Sequence, residues 1–155
     1  MKPKNYFVIL LSILLLLTIP AITVQAKMVS IKGDNINMRS GPGTSYKILW
    51  KLGSGYPLQI LKQKGSWYRV QDFEGSIGWV HKMVTTPKRH MIVKANKNSQ
   101  KRINVRSGPG LNSRIVAKAY YGVVFRTIQQ KSGWVKVEHE KGVQGWIKRS
   151  LLWGF

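Results

Sequence analysis

Three histidines and five carboxylates are few for acid–base chemistry, and the chain has no cysteine. His81, His90 and His139 stand singly. Glu138 and Glu140 flank His139, and two carboxylates at i and i+2 on a strand share one face, as a glycosidase requires. The pair ends what reads as a hairpin, where both groups are solvated. Sixty-seven residues earlier the same positions hold Gln71, Asp72 and Phe73, so the arrangement is not repeated. No nucleophile, acid and base recur together, no thiol is present for cysteine-peptidase chemistry, and no spacing of His and carboxylates suits a metal. The expectation is a binding protein that is not an enzyme, with no cofactor and no metal.

Positive charge is what the chain has in quantity: 26 Lys and Arg against five Asp and Glu, a formal +21. A partner of opposite sign is implied. Residues 27–84 carry nine bases and three acids, residues 85–155 fifteen and two, so the later half is the anion-seeking one. Lys88, Arg89, Lys94, Lys97, Lys101 and Arg102 crowd its start with no acid among them. At the N-terminus Lys2 and Lys4 precede a largely apolar run at residues 7–19, then Pro20 and a short stretch ending Val24-Gln25-Ala26. This is the layout of a secretory leader over residues 1–26, cleaved before Lys27. The alternative is an uncleaved anchor, since residues 7–24 approach the length of a span. Either reading exports the remainder to the periplasm or the exterior. Without Cys there is no lipid-modified thiol and no disulfide, so the exported part must fold by packing alone.

The exported part is one unit written twice. At a constant offset of 67 the copies match from Ile36/Ile103 onward, including Asn37/Asn104, Arg39/Arg106, Ser40-Gly41-Pro42-Gly43 against Ser107-Gly108-Pro109-Gly110, Trp67/Trp134, Gly78/Gly145 and Trp79/Trp146. Such a repeat decides architecture. Before it, Met28-Val29-Ser30-Ile31 is matched to Met91-Ile92-Val93-Lys94, which gives the second copy about four extra polar residues around 97–101. The domains fall at 27–85 and 89–155, joined by only Thr85-Thr86-Pro87-Lys88-Arg89. Within each copy apolar residues alternate over four to seven positions, as in Leu58-Gln59-Ile60 and Tyr68-Arg69-Val70, and glycine-bearing turns punctuate the runs. The Gly-Pro-Gly, Gly53-Ser54-Gly55, Gly65 and Gly75 turns are each expected to use Gly for positive φ. No apolar 3.6-residue period persists after Pro20, so the fold is all-β. Five or six short strands per copy are best accommodated in a small, strongly bent barrel.

Asn37-Met38-Arg39-Ser40-Gly41-Pro42-Gly43, then Trp67-Tyr68-Arg69-Val70, then Gly75-Ser76-Ile77-Gly78-Trp79-Val80 resembles the bacterial Src-homology-3-like domain. Asn104 to Gly110, Gly133-Trp134-Val135-Lys136-Val137 and Gly145-Trp146-Ile147 repeat the order. The resemblance implies two tandem SH3-like β-barrels after the leader. It also implies a module that is usually exported and often binds peptidoglycan as the targeting part of cell-wall hydrolases; a hydrolase domain itself is not expected here.

Arg39 and Arg106, beside their Gly-Pro-Gly turns, either reach a ligand carboxylate with a bidentate fork or bond carbonyls of their own turn; identical use in both copies favours the turn. Trp67, Trp134, Trp79 and Trp146 read as barrel core or rim. Tyr46, Trp50, Tyr56, Tyr68 and Phe73 correspond to Ser113, Ala117, Val123, Val135 and Glu140, and Tyr120 and Tyr121 to Gly53 and Ser54. These unrepeated aromatics either stack on a ligand or pack the two domains together. Trp153 and Phe155 are placed at a barrel end or the interdomain seam. The candidate ligand surface is thus Tyr46, Trp50, Tyr56, Tyr68, Tyr120 and Tyr121 with Arg39, Arg106, Lys88 and Arg89. Its expected partner is an anionic envelope polymer, above all the stem carboxylates of peptidoglycan. A protein-binding adaptor is the alternative, and anionic lipid or phosphorylated glycolipid at a membrane surface a third partner. Export disfavours nucleic acid, and solubility is the plain use of so much charge.

Overall fold

The computed structural model describes residues 26–155; the expected leader lies outside the described residues but for Ala26. Two seven-stranded antiparallel sheets follow. The first holds β1 (Met28–Ile31), β2 (Ile36–Arg39), β3 (Ile48–Leu52), β4 (Pro57–Lys64), β5 (Trp67–Gln71), β6 (Ile77–His81) and β7 (Thr85–Thr86). The second holds β8 (His90–Val93), β9 (Ile103–Arg106), β10 (Ile115–Ala119), β11 (Val124–Lys131), β12 (Trp134–Glu138), β13 (Gln144–Lys148) and β14 (Leu152–Gly154). Their strand orders, β3-β2-β6-β5-β4-β1-β7 and β10-β9-β13-β12-β11-β8-β14, are the same topology twice. Each sheet curls around its own core: Ile31, Met38, Leu58, Val70 and Val80 in the first, Met91, Val105, Phe125, Val135 and Ile147 in the second. Burying each such side chain contributes roughly 1.5–3 kcal/mol, and with no disulfide this packing is what opposes chain entropy.

The sheets contain one strand more per copy than the sequence predicts. Residues read as linker, Thr85 and Thr86, pair with Ile31 and Ser30 and cover the outer edge of β1, as β14 covers β8. An uncovered edge would offer a row of unpaired amides, and a one-turn 3-10 helix at Lys82–Val84 turns the chain back to close it. The register of the first strand also differs from the sequence match. Ile31 donates to Tyr56 as Val93 does to Val123, and the carbonyl of Lys27 accepts from Ile60 as that of Arg89 does from Thr127. The copies therefore correspond there at an offset of 62, one less than the side-chain types suggested, and the insertion in the second copy is five residues. A slip of one residue exchanges the faces of a strand, so Ile31 has its equivalent in buried Val93 and not in exposed Lys94.

The Gly-Pro-Gly turns do not need positive φ: Gly41, Gly43, Gly108 and Gly110 all lack it, and so does Gly53, whereas Gly55, Gly65 and Gly75 have it. What Gly41 supplies is room, for a Cβ there would stand 2.2 Å from the Tyr46 ring. Its counterpart Gly108 meets only the Ser113 hydroxyl, at 2.9 Å. A backbone requirement shared by both copies is at the corner where β2 crosses β6 and β9 crosses β13. A Cβ on Gly145 would lie 2.8 Å from the Arg106 carbonyl and 2.6 Å from Val105 Cγ1; Gly78 faces Arg39 and Met38 in the same way. A backbone oxygen cannot rotate aside. Gly145→Ala is expected to destabilise the second barrel by about 1–3 kcal/mol in denaturant unfolding, and more than Gly108→Ala does. Equal effects of the two variants would contradict this corner assignment.

Candidate functional site

Most of the candidate residues hold the barrels in shape. Arg39 Nη1 donates to the carbonyls of Thr44 and Tyr46 at 2.7 and 2.8 Å, and Arg106 Nη1 to that of Ser113 at 2.8 Å, so each guanidinium braces its own turn. Tyr46 covers Gly41 within that turn. Trp79 lies opposite Arg39 and Arg69, and Trp146 opposite Arg106 and Lys136, on the outer face; Trp146 is 9% exposed and the other three motif tryptophans are half-buried. Trp146 is thus one of the buried apolar residues, the other three are rim, and none of the four joins the two core clusters. Trp67 meets the ring of His81 edge-on at 5.1 Å. Tyr68 leans on the first core beneath Lys82, and Tyr120 lies under Arg102. Trp50 stands 56% exposed on edge strand β3 beside Ile48 and Leu49.

The histidine–carboxylate group singled out in the sequence is likewise engaged. His139 Nδ1 accepts from the Lys141 amide at 3.2 Å, its ring meets Phe125, and Arg126 Nε donates to Glu138 at 2.9 Å. His139 thus occupies the turn position that Asp72 holds in the first copy, where Asp72 Oδ1 accepts from the amides of Glu74 and Ser76.

That first-copy turn makes the joint between the domains. Fixed by Asp72 and by Gly75 at φ +90°, it carries Phe73 and Glu74 outward to the second domain. Phe73 sits 5.2 Å from the ring of Tyr121 and 6.1 Å from that of Tyr56. The Tyr121 hydroxyl donates to Glu74, and Lys97, from the five-residue insertion, stands 3.4 Å from the same carboxylate. Burial and the bond to Glu74 push the Tyr121 hydroxyl up to about 12, and burial also raises Tyr56 strongly. Two of the nominated ligand aromatics, Tyr56 and Tyr121, are thereby committed to the seam. Further along it Gly55 packs against His90 and Val124, where burial lowers the His90 pKa.

Where the seam opens, a cleft of about 1150 Å³ lies between the domains. Lys27 and Gln59 enter it from the first domain, and Arg89, Lys94 and Arg149 from the second. Gln129 and Gln130 add amides, and Trp153 and Phe155 add aromatic faces. No Asp or Glu lines it. Arg149 is itself held, with Nη1 donating to Leu152 at 2.9 Å and Nη2 to Gly154 at 3.2 Å. Of the ten candidate ligand residues only Arg89 lines this cleft. Positions as far apart as 27, 59 and 149 converge there through the seam, and no local pattern marks them.

The joint has a pH dependence of fixed sign. The Tyr121 hydrogen bond, with Lys97, holds the Glu74 pKa below the ordinary carboxylate value. A depressed folded-state pKa stabilises above the ordinary value and is lost as pH falls through the folded one. Acidification below the normal carboxylate range is therefore expected to loosen the domains, seen by small-angle scattering as a larger radius of gyration. Glu74→Gln should show the looser form already at neutral pH, and an unchanged radius in both cases would contradict the joint.

Comparison with protein families matches the bacterial SH3 domain at residues 32–86 and again at 99–154. Among curated proteins the chain is 30% identical over 159 residues to the Bacillus subtilis (strain 168) protein named "Putative N-acetylmuramoyl-L-alanine amidase YrvJ"; the match takes in 96% of this chain and 30% of that protein. The chain thus spans less than a third of that relative's length. Among solved structures it is similar to NlpC2 from Trichomonas vaginalis (12% identity, TM-score 0.36, covering 83% of this chain and 48% of that one). An NlpC/P60 family protein from Bacillus cereus ATCC 10987 gives 11% identity and a TM-score of 0.38, covering 83% and 56%. These two likenesses are too distant to bear on function. With the same family matched on both halves of its sheet architecture, this chain belongs to the bacterial SH3 domain family and carries two such domains in tandem.

Proposed function

We propose that this chain is an exported, non-catalytic binding protein that takes peptidoglycan into the basic cleft between its two SH3 domains. The observation that carries the reading is the chemistry of that cleft: four cations, three amides and two aromatic side chains with no Asp or Glu. Stem carboxylates suit Arg89, Lys94 and Lys27; acetamido and peptide groups suit Gln59, Gln129 and Gln130; a sugar face suits Trp153. A ligand with only charge would use the first set and ignore the rest. The relative named as an N-acetylmuramoyl-L-alanine amidase supports the same ligand class.

The balance of forces makes the reading testable. Exposed ion pairs contribute about 0.2–1 kcal/mol each and fade as the Debye length falls from about 8 Å at physiological salt to about 3 Å at 1 M. Aromatic contact contributes on the order of 1 kcal/mol and survives salt. In sedimentation with purified sacculi, Arg89→Gln with Lys94→Gln is expected to weaken binding roughly tenfold at physiological salt, equivalent to about 1.4 kcal/mol. Trp153→Ala should remove the part that persists at 1 M salt. A second reading, docking of a protein, is favoured by the exposed Tyr46, Ile48, Leu49 and Trp50 on and before β3. Sacculus binding that ignores the cleft variants and falls with Trp50→Ala would overturn the cleft in favour of that strip.

A further inference from the structure

Lys27 differs from the other cations of the cleft in what precedes it in the chain. Its carbonyl accepts from the Ile60 amide at 2.8 Å, so its main chain is fixed to β4, and Ala26, Lys27 and Met28 all line the cleft wall. The equivalent residue of the second domain is Arg89, whose carbonyl accepts from Thr127 at 2.8 Å and which lines the same cleft. Before Arg89 the chain runs back through Lys88 and Pro87 into the first domain. Before Lys27 it runs back through Ala26 into the leader.

We infer that removal of the leader completes the binding site: the new α-ammonium of Lys27 becomes a further cation of the cleft and takes part in holding a ligand carboxylate. The inference rests on the cleft reading and the export proposed above, with cleavage before Lys27 as the N-terminal layout leads one to expect. In the uncleaved chain the Lys27 nitrogen is a neutral amide, bonded to Ala26, which itself lines the cleft. Cleavage between Ala26 and Lys27 replaces that amide with an amine whose ordinary pKa is about 7.7–8.0, largely protonated at neutral pH. The new charge arises on backbone already fixed by Ile60, so little ordering accompanies its use, unlike a lysine tip on a flexible stem. The unprocessed form is then the weaker binder, and the full site exists only after export.

Isothermal titration with an N-acetylmuramoyl peptide bearing a free carboxylate tests this on three forms of the mature chain. One begins at Lys27. The second is acetylated at the α-amine at mildly acidic pH, where the lysine amines are much more fully protonated. The third begins with Gly-Ser-Gly-Ser ahead of Ala26, which carries the ammonium out of the cleft. The free form is expected to bind about five- to tenfold more tightly than the other two, and the advantage should vanish with a probe whose carboxylate is amidated. Equal affinities of the three forms, with Arg89→Gln still weakening all of them, would overturn the inference and leave the cleft standing. If no form binds the probe at any concentration, the cleft reading fails and this inference with it. Matching thermal unfolding of the three forms separates the effect from a change in folding.

Discussion

The contact of the Asp72–Ser76 turn with Tyr121 is the constraint on which the rest depends, because the cleft belongs to neither domain alone. Each link is weak by itself. The Lys97–Glu74 pair is screened by solvent and contributes little, and the Phe73–Tyr121 ring contact contributes about 0.5–1.5 kcal/mol. The linker decides between many orientations and few: Pro87, Lys88 and Arg89 alone separate the last strand of the first sheet from the first strand of the second. With the tether so short, small contact energies suffice to select one arrangement, since little translational freedom remains to be lost. That arrangement brings β4 against β8 and β14 and sets Gln59 and Lys27 across from Arg89 and Trp153.

Duplication explains how one turn became a joint. In the second copy the corresponding turn carries His139, Glu140 and Lys141, with Glu140 and Lys141 exposed, while in the first copy Asp72 caps the turn from within and Phe73 and Glu74 turn outward to a partner domain. The barrels need the turn's backbone geometry and leave its side chains free to differ. The Gly145 and Gly78 corners, the Arg39 and Arg106 braces and the tryptophan rim are bound by that geometry and are the same in both copies.

The fold was legible because its determinants are local and written twice: alternation of apolar residues, glycine turns and the spacing of Trp67 and Trp79. The misreadings have physical causes. Met28 and Met91 look alike, but hydrogen bonding sets the register one residue away, and side-chain type carries no record of that. Thr85 and Thr86 look like linker because a two-residue strand has no period to detect. The cleft was largely hidden, since Lys27, Gln59 and Arg149 become neighbours only when two domains meet. Its sequence traces were the basic cluster that holds Arg89 and Lys94 and the placement of Trp153 and Phe155 at a barrel end or the interdomain seam. Tyr56 and Tyr121 read in the sequence either as ligand aromatics or as domain packing, and in the structure both make contacts at the seam.

The central claim is that ligand enters between the domains, and a titration of the isotope-labelled chain with a soluble muropeptide, followed by NMR, tests it most directly. The account predicts that the Trp153 indole and the side-chain amides of Gln59, Gln129 and Gln130 shift together along one saturable curve while the Trp50 indole stays still. Shifts confined to Trp50 and the residues around Tyr46, with the cleft signals unmoved, would contradict it.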